Sequence, residues 1–245
     1  MTVPPVVSAE EWRAARLALL REEKALTRVR DAISSRRREL PMVRVDQAYE
    51  LTGPDGPASL LDLFDGRRQL IVSHFMFDPE WEEGCPSCTA GADEMSDGLR
   101  EHLAVRDTTL VYVSRAPIEK IEAYRQQRGW TFPWFSSFGS TFNYDFHVTL
   151  DESVAPVEYN YRPYAELVAD DPAWEGWSGE QPGMSCYLRV DDDVFHTYSS
   201  YGRGAEWTGG SYAFLDLTAL GRQEEWELPK GRADQARGAS PDFAS

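Results

Sequence analysis

Long apolar runs are missing from this sequence: no stretch reaches the roughly 18 residues that a transmembrane helix requires. We therefore expect no membrane span. A secretory signal peptide is not expected either, because the residues from Met1 to Val7 contain neither a basic segment nor an apolar segment of sufficient length.

Cysteine is scarce, with three residues in a chain of 245. So small and odd a number does not support a disulfide scaffold. Since stable disulfides belong mostly to oxidising compartments, the composition predicts a cytoplasmic protein whose thiols stay reduced or cycle between two states.

Positive charge is under-represented: 25 Lys and Arg residues stand against 41 Asp and Glu, which gives a net charge of −16. This excess of negative charge argues against binding to nucleic acids and to anionic membranes. The charge is uneven, because residues 1–40 carry +3 and the remainder carries −19. A basic segment beside an acidic body indicates docking within or between subunits, although a solvated helix explains it equally well.

Residues 1–40 form the first predicted unit, an amphipathic helical arm. Ser8 and Glu11 fit a capping box, in which each side chain accepts a hydrogen bond from a backbone N–H at the helix start. Large apolar residues then recur every seven positions: Trp12, Leu19, Leu26 and Ile33. The pattern predicts a helix of about 30 residues that ends before Pro41. Its narrow stripe predicts packing either on its own domain or on a second copy, as a homodimer.

Residues 41–229 form the second predicted unit, with an α/β pattern. Its elements are expected at 70–75 (strand), 89–104 (helix), 108–114 (strand), 118–128 (helix), 184–190 and 194–198 (strands around a three-residue turn) and 212–220 (helix). Residues 130–182, rich in aromatic residues, are expected to form an irregular packed insertion, and residues 230–245 a disordered tail. Two parallel strands joined by a helix, then an antiparallel pair and a final helix, describe a thioredoxin-like three-layer fold with a central mixed sheet.

The sequence Cys85-Pro-Ser-Cys88 lies between the first of these strands and the helix that follows it. Two thiols with this spacing can close a small disulfide ring, and a helix N-terminus favours a thiolate at the first cysteine. Strand, CxxC and helix together are typical of a dithiol–disulfide redox site. A structural pair without turnover and a metal site are alternatives that the motif leaves open.

The chain resembles a bacterial family of predicted dithiol–disulfide oxidoreductases with a thioredoxin-like fold, known as domain of unknown function 899. The resemblance covers most of residues 8–228. The segments that carry it are 22–28 (EEKALTR), 36–41 (RRRELP), 73–77 (SHFMF), 85–88 (CPSC) and 138–145 (FGSTFNYD).

The resemblance implies a thiol–disulfide oxidoreductase. In the wider thioredoxin superfamily the first cysteine of the motif attacks and the second resolves, and these positions match Cys85 and Cys88. Pro86, directly after the first cysteine, resembles the glutaredoxin arrangement. No dissociable cofactor is implied. The implied partners are a protein or small-molecule disulfide as substrate and an external thiol as electron donor.

Two features depart from the superfamily pattern. Carboxylates near a thiolate raise its pKa, and six flank the motif: Asp78, Glu80, Glu82, Glu83, Asp93 and Glu94. The superfamily also usually has a cis-proline just before the strand that faces the CxxC. Here the nearest proline is Pro182, two residues ahead of a strand predicted to begin near Met184, so that Met184 or Ser185 would take the contact position.

Other residues are candidates for the surroundings of the thiols. His74, at the end of the central strand, is either a proton donor or acceptor for them or a core residue. Ser87 and Trp81 are expected to line the site. Cys186 is expected in the core, and a zinc site would need a set such as Cys85, Cys88, Cys186 and His74, which no spacing requires. We therefore predict no metal.

Two further functions remain open on the sequence. A peroxiredoxin-like peroxidase would need a threonine before the reactive cysteine, where this chain has Glu82, and Pro79 alone does not complete that pattern. A binding module that kept the fold without catalysis would use the aromatic segment and the acidic body to hold a partner. Among these functions the peroxidase is the least favoured.

Overall fold

The computed structural model describes residues 6–205, 208, 210–216, 218, 220–223, 225, 227–228 and 230. The tail predicted at 230–245 therefore lies outside the described residues, apart from Lys230. No helix in the described part is long and apolar enough to cross a membrane.

The first helix, α1 (Ala9–Arg38), begins at the predicted capping box. The Ser8 Oγ accepts a hydrogen bond from the Glu11 N–H at 3.2 Å, and the Glu11 carboxylate accepts one from the Ser8 N–H at 2.9 Å. The buried residues of α1 lie in its last turns, at Ser34 and Arg38. The side chains of the predicted stripe are exposed: the exposed fraction is 61% for Trp12, 50% for Leu19 and Leu26, and 45% for Ile33. The long helix is thus confirmed, and most of its length is left exposed by the part of the chain that the structure describes.

The C-terminal end of α1 is fixed by a late segment of the chain. Arg38 is buried, and its Nε donates to the Leu228 carbonyl at 2.6 Å while its Nη1 lies 3.2 Å from the Glu227 carboxylate. Arg37 donates to the Asp216 carbonyl at 2.7 Å. These contacts tie the base of the helix to the body.

A central sheet is the framework of the described residues. Its strands are β1 Val43–Arg44, β2 Leu51–Gly53, β3 Gly56–Ala58, β4 Gln69–His74, β5 Thr108–Ser114, β6 Trp134–Ser136, β11 Gly183–Val190 and β12 Asp193–Tyr201. The order across the sheet is β1-β12-β11-β4-β5-β6-β2-β3. Short strands β7 Thr149–Leu150 and β10 Gly179–Glu180 pair separately, as do β8 Glu158–Tyr159 and β9 Arg162–Pro163.

The remaining helices lie around this sheet. Their bounds are α2 Pro86–Asp93, α3 Asp97–Ala104, α4 Ile118–Arg128, α5 Phe142–Asp145, α6 Tyr164–Asp170 and α7 Gly210–Leu215. Gly129 ends α4 with a φ of 71°, in the left-handed region that glycine adopts without strain. The predicted final helix is seen as α7, and its expected continuation through 220 is not helical in the described residues.

The centre of the sheet has the predicted thioredoxin-like topology. Strands β4 and β5 are parallel and are joined through α2 and α3, while β11 is antiparallel to β4 and forms a hairpin with β12. One face of the sheet packs Ile71, Phe75 and Met184 into an apolar core, and the other packs residues such as Val72 and Tyr187. Cover on both faces explains why the middle of β4, Leu70 to Val72, is apolar without alternation.

Two local predictions were wrong. The helix expected over 89–104 is divided into α2 and α3, because Ser96 caps a new helix by accepting a hydrogen bond from the Leu99 N–H at 3.1 Å. The expected three-residue turn of the β11–β12 hairpin has two residues, since Asp193 already pairs with Val190. Asp191 takes the left-handed conformation there, with a φ of 53°.

Candidate functional site

The CxxC motif lies where β4 leads, through a short loop, into α2. Cys85 is the N-cap of the helix, and Pro86 occupies the first turn, where a missing N–H costs no helical hydrogen bond. The Cys85 N–H donates to the Met76 carbonyl at 3.0 Å, and the Cys85 carbonyl accepts from the Thr89 N–H at 2.9 Å. The backbone therefore holds the first cysteine at the positive end of the helix.

The two thiols of the motif are free and have different surroundings. Burial of Cys88 raises the pKa of its thiol to about 12; a hydrogen bond from the Met76 backbone opposes this shift, and the nearby Cys85 thiol adds to it. The side chain of Cys88 packs against the apolar core. Cys85 lies half-buried beside the fully exposed face of Pro86 and Ser87. Both side chains are half-buried, but only that of Cys88 packs against the core, where burial keeps its thiol protonated.

The loop before the motif fits closely against an aromatic core. A Cβ on Gly84 would lie 2.4 Å from Cε1 of Phe75, so the residue before Cys85 has room only for glycine. The Phe75 ring has little room to move aside, because its centroid lies 4.6 Å from the centroid of the Trp134 ring. On the outer side, the Lys120 ammonium donates to the carbonyls of Pro79 and Trp81, each at 2.7 Å.

A buried polar network holds the same loop to the opposite side of the site. Arg115 bonds to the Asp78 carboxylate in the loop and, through Nε at 2.7 Å, to the Glu180 carboxylate at the end of β10. Glu180 also accepts hydrogen bonds from Thr149 at 2.9 Å and from Asn143 at 3.3 Å. Burial raises the pKa of Glu180, and the hydrogen bond and charge of Arg115 oppose the rise. The sequence analysis missed this network, since its members are far apart in the chain.

A cavity of about 570 Å³ opens beside the second cysteine. Ser87 and Cys88 line one side of it, and Pro182, Gly183 and Met184 line the other. Strand β11 begins at Gly183, one residue before the predicted start near Met184. Pro182 therefore directly precedes the strand that faces the motif. Met184 lines the cavity, while Ser185 does not.

His74 and Ser185 lie together, but their side chains face away from the thiols. His74 Nε2 is 2.9 Å from the Ser185 Oγ. The hydrogen-bonded chain continues from the Ser185 Oγ to the Ser199 Oγ at 2.8 Å, and from there to His196 Nε2 at 2.7 Å. The His74 ring packs near Phe142 on the face of the sheet opposite the core that holds Cys88. His74 borders the cavity without presenting its imidazole to either sulfur.

Burial of His74 produces a testable pH dependence. Burial lowers the pKa of its imidazole to about 3, with the charge of His196 contributing. Below about pH 6.5, the usual histidine pKa, His74 binds a proton in the unfolded chain but stays neutral in the folded chain. The free energy of unfolding is therefore highest above about pH 6.5 and falls as the pH approaches 3. Between pH 6 and pH 4, we expect the wild type to lose about 2 kcal/mol more than His74→Gln. Urea unfolding at several pH values measures this difference, and parallel curves would contradict it.

The remaining candidates are scattered around the motif. Trp81 is 38% exposed, belongs to the loop held by Lys120 and does not line the cavity. Two of the flanking carboxylates have partners of their own, since Asp78 pairs with Arg115 and Asp93 with Arg128. Glu94 lines the cavity. The exposed Glu80, Glu82 and Glu83 complete the acidic set.

Cys186 lies in the core next to the site and not in it. It pairs with Ile71 across the sheet, and burial raises the pKa of its thiol to about 12, against the charge of Arg37. Since the His74 ring lies on the other face, the four side chains weighed as zinc ligands do not converge. In the described part of the chain, no three His, Cys, Asp or Glu side chains are grouped so as to hold a metal ion.

The topology and the motif together define a thioredoxin-like protein with a CxxC dithiol at a helix N-terminus. More specifically, the chain belongs to the family described as "Bacterial protein of unknown function (DUF899)", whose model matches residues 1–238. No curated protein matches the chain.

Solved structures are similar to the chain at low sequence identity. Peroxidoxin BcpB from Mycobacterium tuberculosis is 16% identical, with 73% of this chain and 96% of that chain covered and a TM-score of 0.46. The bacterioferritin comigratory protein of Xanthomonas campestris is 11% identical, with coverages of 66% and 87% and a TM-score of 0.39. A proposed protein disulfide isomerase from Bacteroides thetaiotaomicron is 15% identical, with coverages of 72% and 89% and a TM-score of 0.38.

Proposed function

We propose that this protein is a thiol–disulfide oxidoreductase in which Cys85 attacks a disulfide and Cys88 resolves the mixed disulfide. The observation that carries the proposal is the unequal setting of the two thiols. Cys85 caps the helix N-terminus beside the exposed Pro86 and Ser87, while burial raises the pKa of Cys88 to about 12. A thiol that stays protonated until it is needed suits the second step, because it does not compete for the substrate in the first.

The proposed reaction uses the two cysteine sulfurs, a disulfide substrate and an external thiol. Cys85 forms a bond to one substrate sulfur and expels the other as a thiolate, and Cys88 then attacks Cys85 and expels the second. The spacing of the two cysteines at the start of one helix supports closure of a small disulfide ring. An external thiol would return the motif to the dithiol form, in agreement with the reducing, cytoplasmic location that the sequence predicts.

The proposal is tested by a redox titration of the native protein in a glutathione series. Thiol trapping followed by mass spectrometry should detect one two-electron transition that involves Cys85 and Cys88, with a midpoint between about −180 and −300 mV. Cys186 is the internal control, because its buried thiol should resist trapping until the protein is unfolded. Thiols of the motif that never change across the series would contradict the proposal and favour the binding module.

The peroxidase alternative is less well supported. Glu82, at the position where a peroxiredoxin needs a hydroxyl, is an exposed carboxylate. Consumption of hydrogen peroxide by the reduced protein, at a rate far above that of its exchange with disulfides, would reverse this order of preference.

We also infer that two copies of the chain pair through α1. The exposed side chains of the stripe recur every seven residues, which is the pattern of helices that pack along each other: Trp12, Leu19, Leu26 and Ile33. Burying large apolar side chains stabilises such a pair by about 25 cal/mol for each Å² removed from water. A second α1 offers a matching stripe, and the domain of the same chain leaves this one uncovered.

The pairing predicts that Leu26→Glu converts a dimer into a monomer, because it introduces a charge into the stripe. Light scattering coupled to size exclusion measures the mass of each species. Leu17→Glu is the matched control, since Leu17 is similarly exposed but lies on the opposite side of the helix. A wild type that is monomeric at tens of micromolar, or equal masses for both variants, would refute the pairing.

A further inference from the structure

The cavity beside Cys88 has a composition that selects among disulfides. Most of its lining is apolar and includes the side chains of Met76, Met95, Leu99, Tyr112, Met184 and Phe214. Its volume of about 570 Å³ lies in the usual range for pockets that enclose small molecules. Ser87 and Cys88 line this cavity, and Cys85 caps the same helix three residues before Cys88, so a molecule in the cavity lies beside the dithiol.

The charge around the cavity has one sign. Glu94 is the charged residue that lines it within the described part of the chain, and this carboxylate is exposed at the end of α2. The cations nearest the motif already have partners: Arg115 bonds to Asp78 and Glu180, Arg128 to Asp93, and Lys120 to two loop carbonyls. Among the described residues that line the cavity, an anionic group would therefore meet a carboxylate and no cationic side chain.

We propose that the substrate of this site is a low-molecular-weight disulfide that carries a cationic, not an anionic, substituent on an apolar body. The inference rests on the proposed function and specifies its substrate class. The apolar body would lie against the methionines, whose flexible thioethers adapt to irregular shapes. The cationic group would lie at the rim beside Glu94.

The reaction balances without any further oxidant. The Cys85 thiolate bonds to one substrate sulfur and releases the other half as a thiolate, which takes a proton from solvent. Cys88 loses its proton, bonds to the Cys85 sulfur and releases the second half. One disulfide is reduced to two thiols, and the two protein thiols are oxidised to one disulfide.

The test is a single-turnover comparison of three disulfides of similar size and different charge: cystamine (cationic), hydroxyethyl disulfide (neutral) and dithiodipropionate (anionic). The reduced protein is mixed with each, and acid quenching with thiol trapping measures formation of the Cys85–Cys88 disulfide. Each rate is divided by that of dithiothreitol with the same disulfide, which removes differences in leaving-group reactivity. We expect cystamine to exceed dithiodipropionate by roughly 10-fold at low salt, with the gap shrinking in high salt.

Variants of Glu94 test whether this carboxylate causes the preference for the cationic disulfide. Glu94→Gln should reduce the ratio by roughly 3-fold to 5-fold, and Glu94→Lys should bring it to one or below. Glu101→Gln is the matched control, because Glu101 is an exposed carboxylate on α3 that does not line this cavity. It removes the same charge from the protein and should leave the ratio unchanged.

The outcomes separate the two proposals. Equal normalised rates for all three disulfides, or a preference for the anion, would overturn the substrate class while leaving the oxidoreductase proposal intact. A ratio that falls equally in Glu94→Gln and Glu101→Gln would assign the preference to the net charge of the protein and refute the role of the cavity. No exchange with any disulfide would refute both proposals.

Discussion

Cys85→Ser should abolish disulfide reduction, whereas Cys88→Ser should stop the reaction after its first step. Without Cys85, the thiol left in the motif is one whose pKa burial has raised to about 12. At pH 7 only ~10⁻⁵ of such a thiol is thiolate, which is roughly 10³-fold less than for a cysteine of ordinary pKa. We expect at least that loss in rate.

The second variant shows which thiol attacks first. In Cys88→Ser the attacking thiol remains, but no thiol is present to release the substrate from it. A mixed disulfide should therefore accumulate at Cys85, with one half of the substrate bound, and mass spectrometry of the intact protein detects the added mass. Cys186→Ser is the control, and it should keep wild-type turnover because Cys186 is buried in the core and does not line the cavity beside the motif.

Several results would contradict this assignment. A mixed disulfide trapped at Cys88 in Cys85→Ser, at a rate close to that of the wild type, would reverse the roles. Unchanged turnover in both single variants would show that the activity belongs to other groups.

Arg115→Met should destabilise the fold by about 3–5 kcal/mol, the cost of leaving a buried charge without its partner. The substitution keeps most of the side-chain volume and removes the guanidinium from between Asp78 and Glu180. Most of the loss comes from the Glu180 carboxylate, because its side chain is only 1% exposed and would remain buried without a counter-charge. Since typical domains are stable by only about 5–15 kcal/mol, urea unfolding resolves this loss.

A second substitution tests the electrostatic origin of the loss. Adding Glu180→Gln to Arg115→Met should recover part of the stability, because a neutral amide is cheaper to bury than an unpaired carboxylate. The stability lost in the single variant should also shrink as the pH falls, since burial has raised the pKa of Glu180 in the folded state and acid lets it bury its neutral form. An additive double variant with no pH dependence would contradict this account.

Much of the fold follows from local sequence patterns. The capping box and seven-residue repeat predicted α1, and the apolar runs predicted β4 and β5 to within a residue or two. Each of these signals acts over a few neighbours. The break between α2 and α3 was missed because it depends on Ser96, a cap inside a segment whose composition is otherwise compatible with one continuous helix.

For the candidate site, the sequence indicates the two sulfurs but not the side chains around them. The spacing of the CxxC identified the thiols, but sequence gives no direction for a side chain at the end of a strand. His74 and Ser185 were chosen for being near the motif, and the pleat of the sheet turns both toward the other face. Glu180 and Arg115 are separated by 65 residues, so their ion pair exists only after the insertion has folded back.

The anchoring of α1 has a consequence for how the protein is made. The base of this helix is held by Asp216, Glu227 and Leu228, and Gln69 of the central strand accepts a hydrogen bond from the Leu220 N–H at 2.9 Å. A ribosome releases those residues long after α1 and the strand have emerged. The orientation of the first helix to be synthesised is therefore set last, and an incomplete nascent chain would present the α1 stripe without a fixed direction. In the proposed pairing, two copies would therefore assemble only after residues 216–228 have been synthesised.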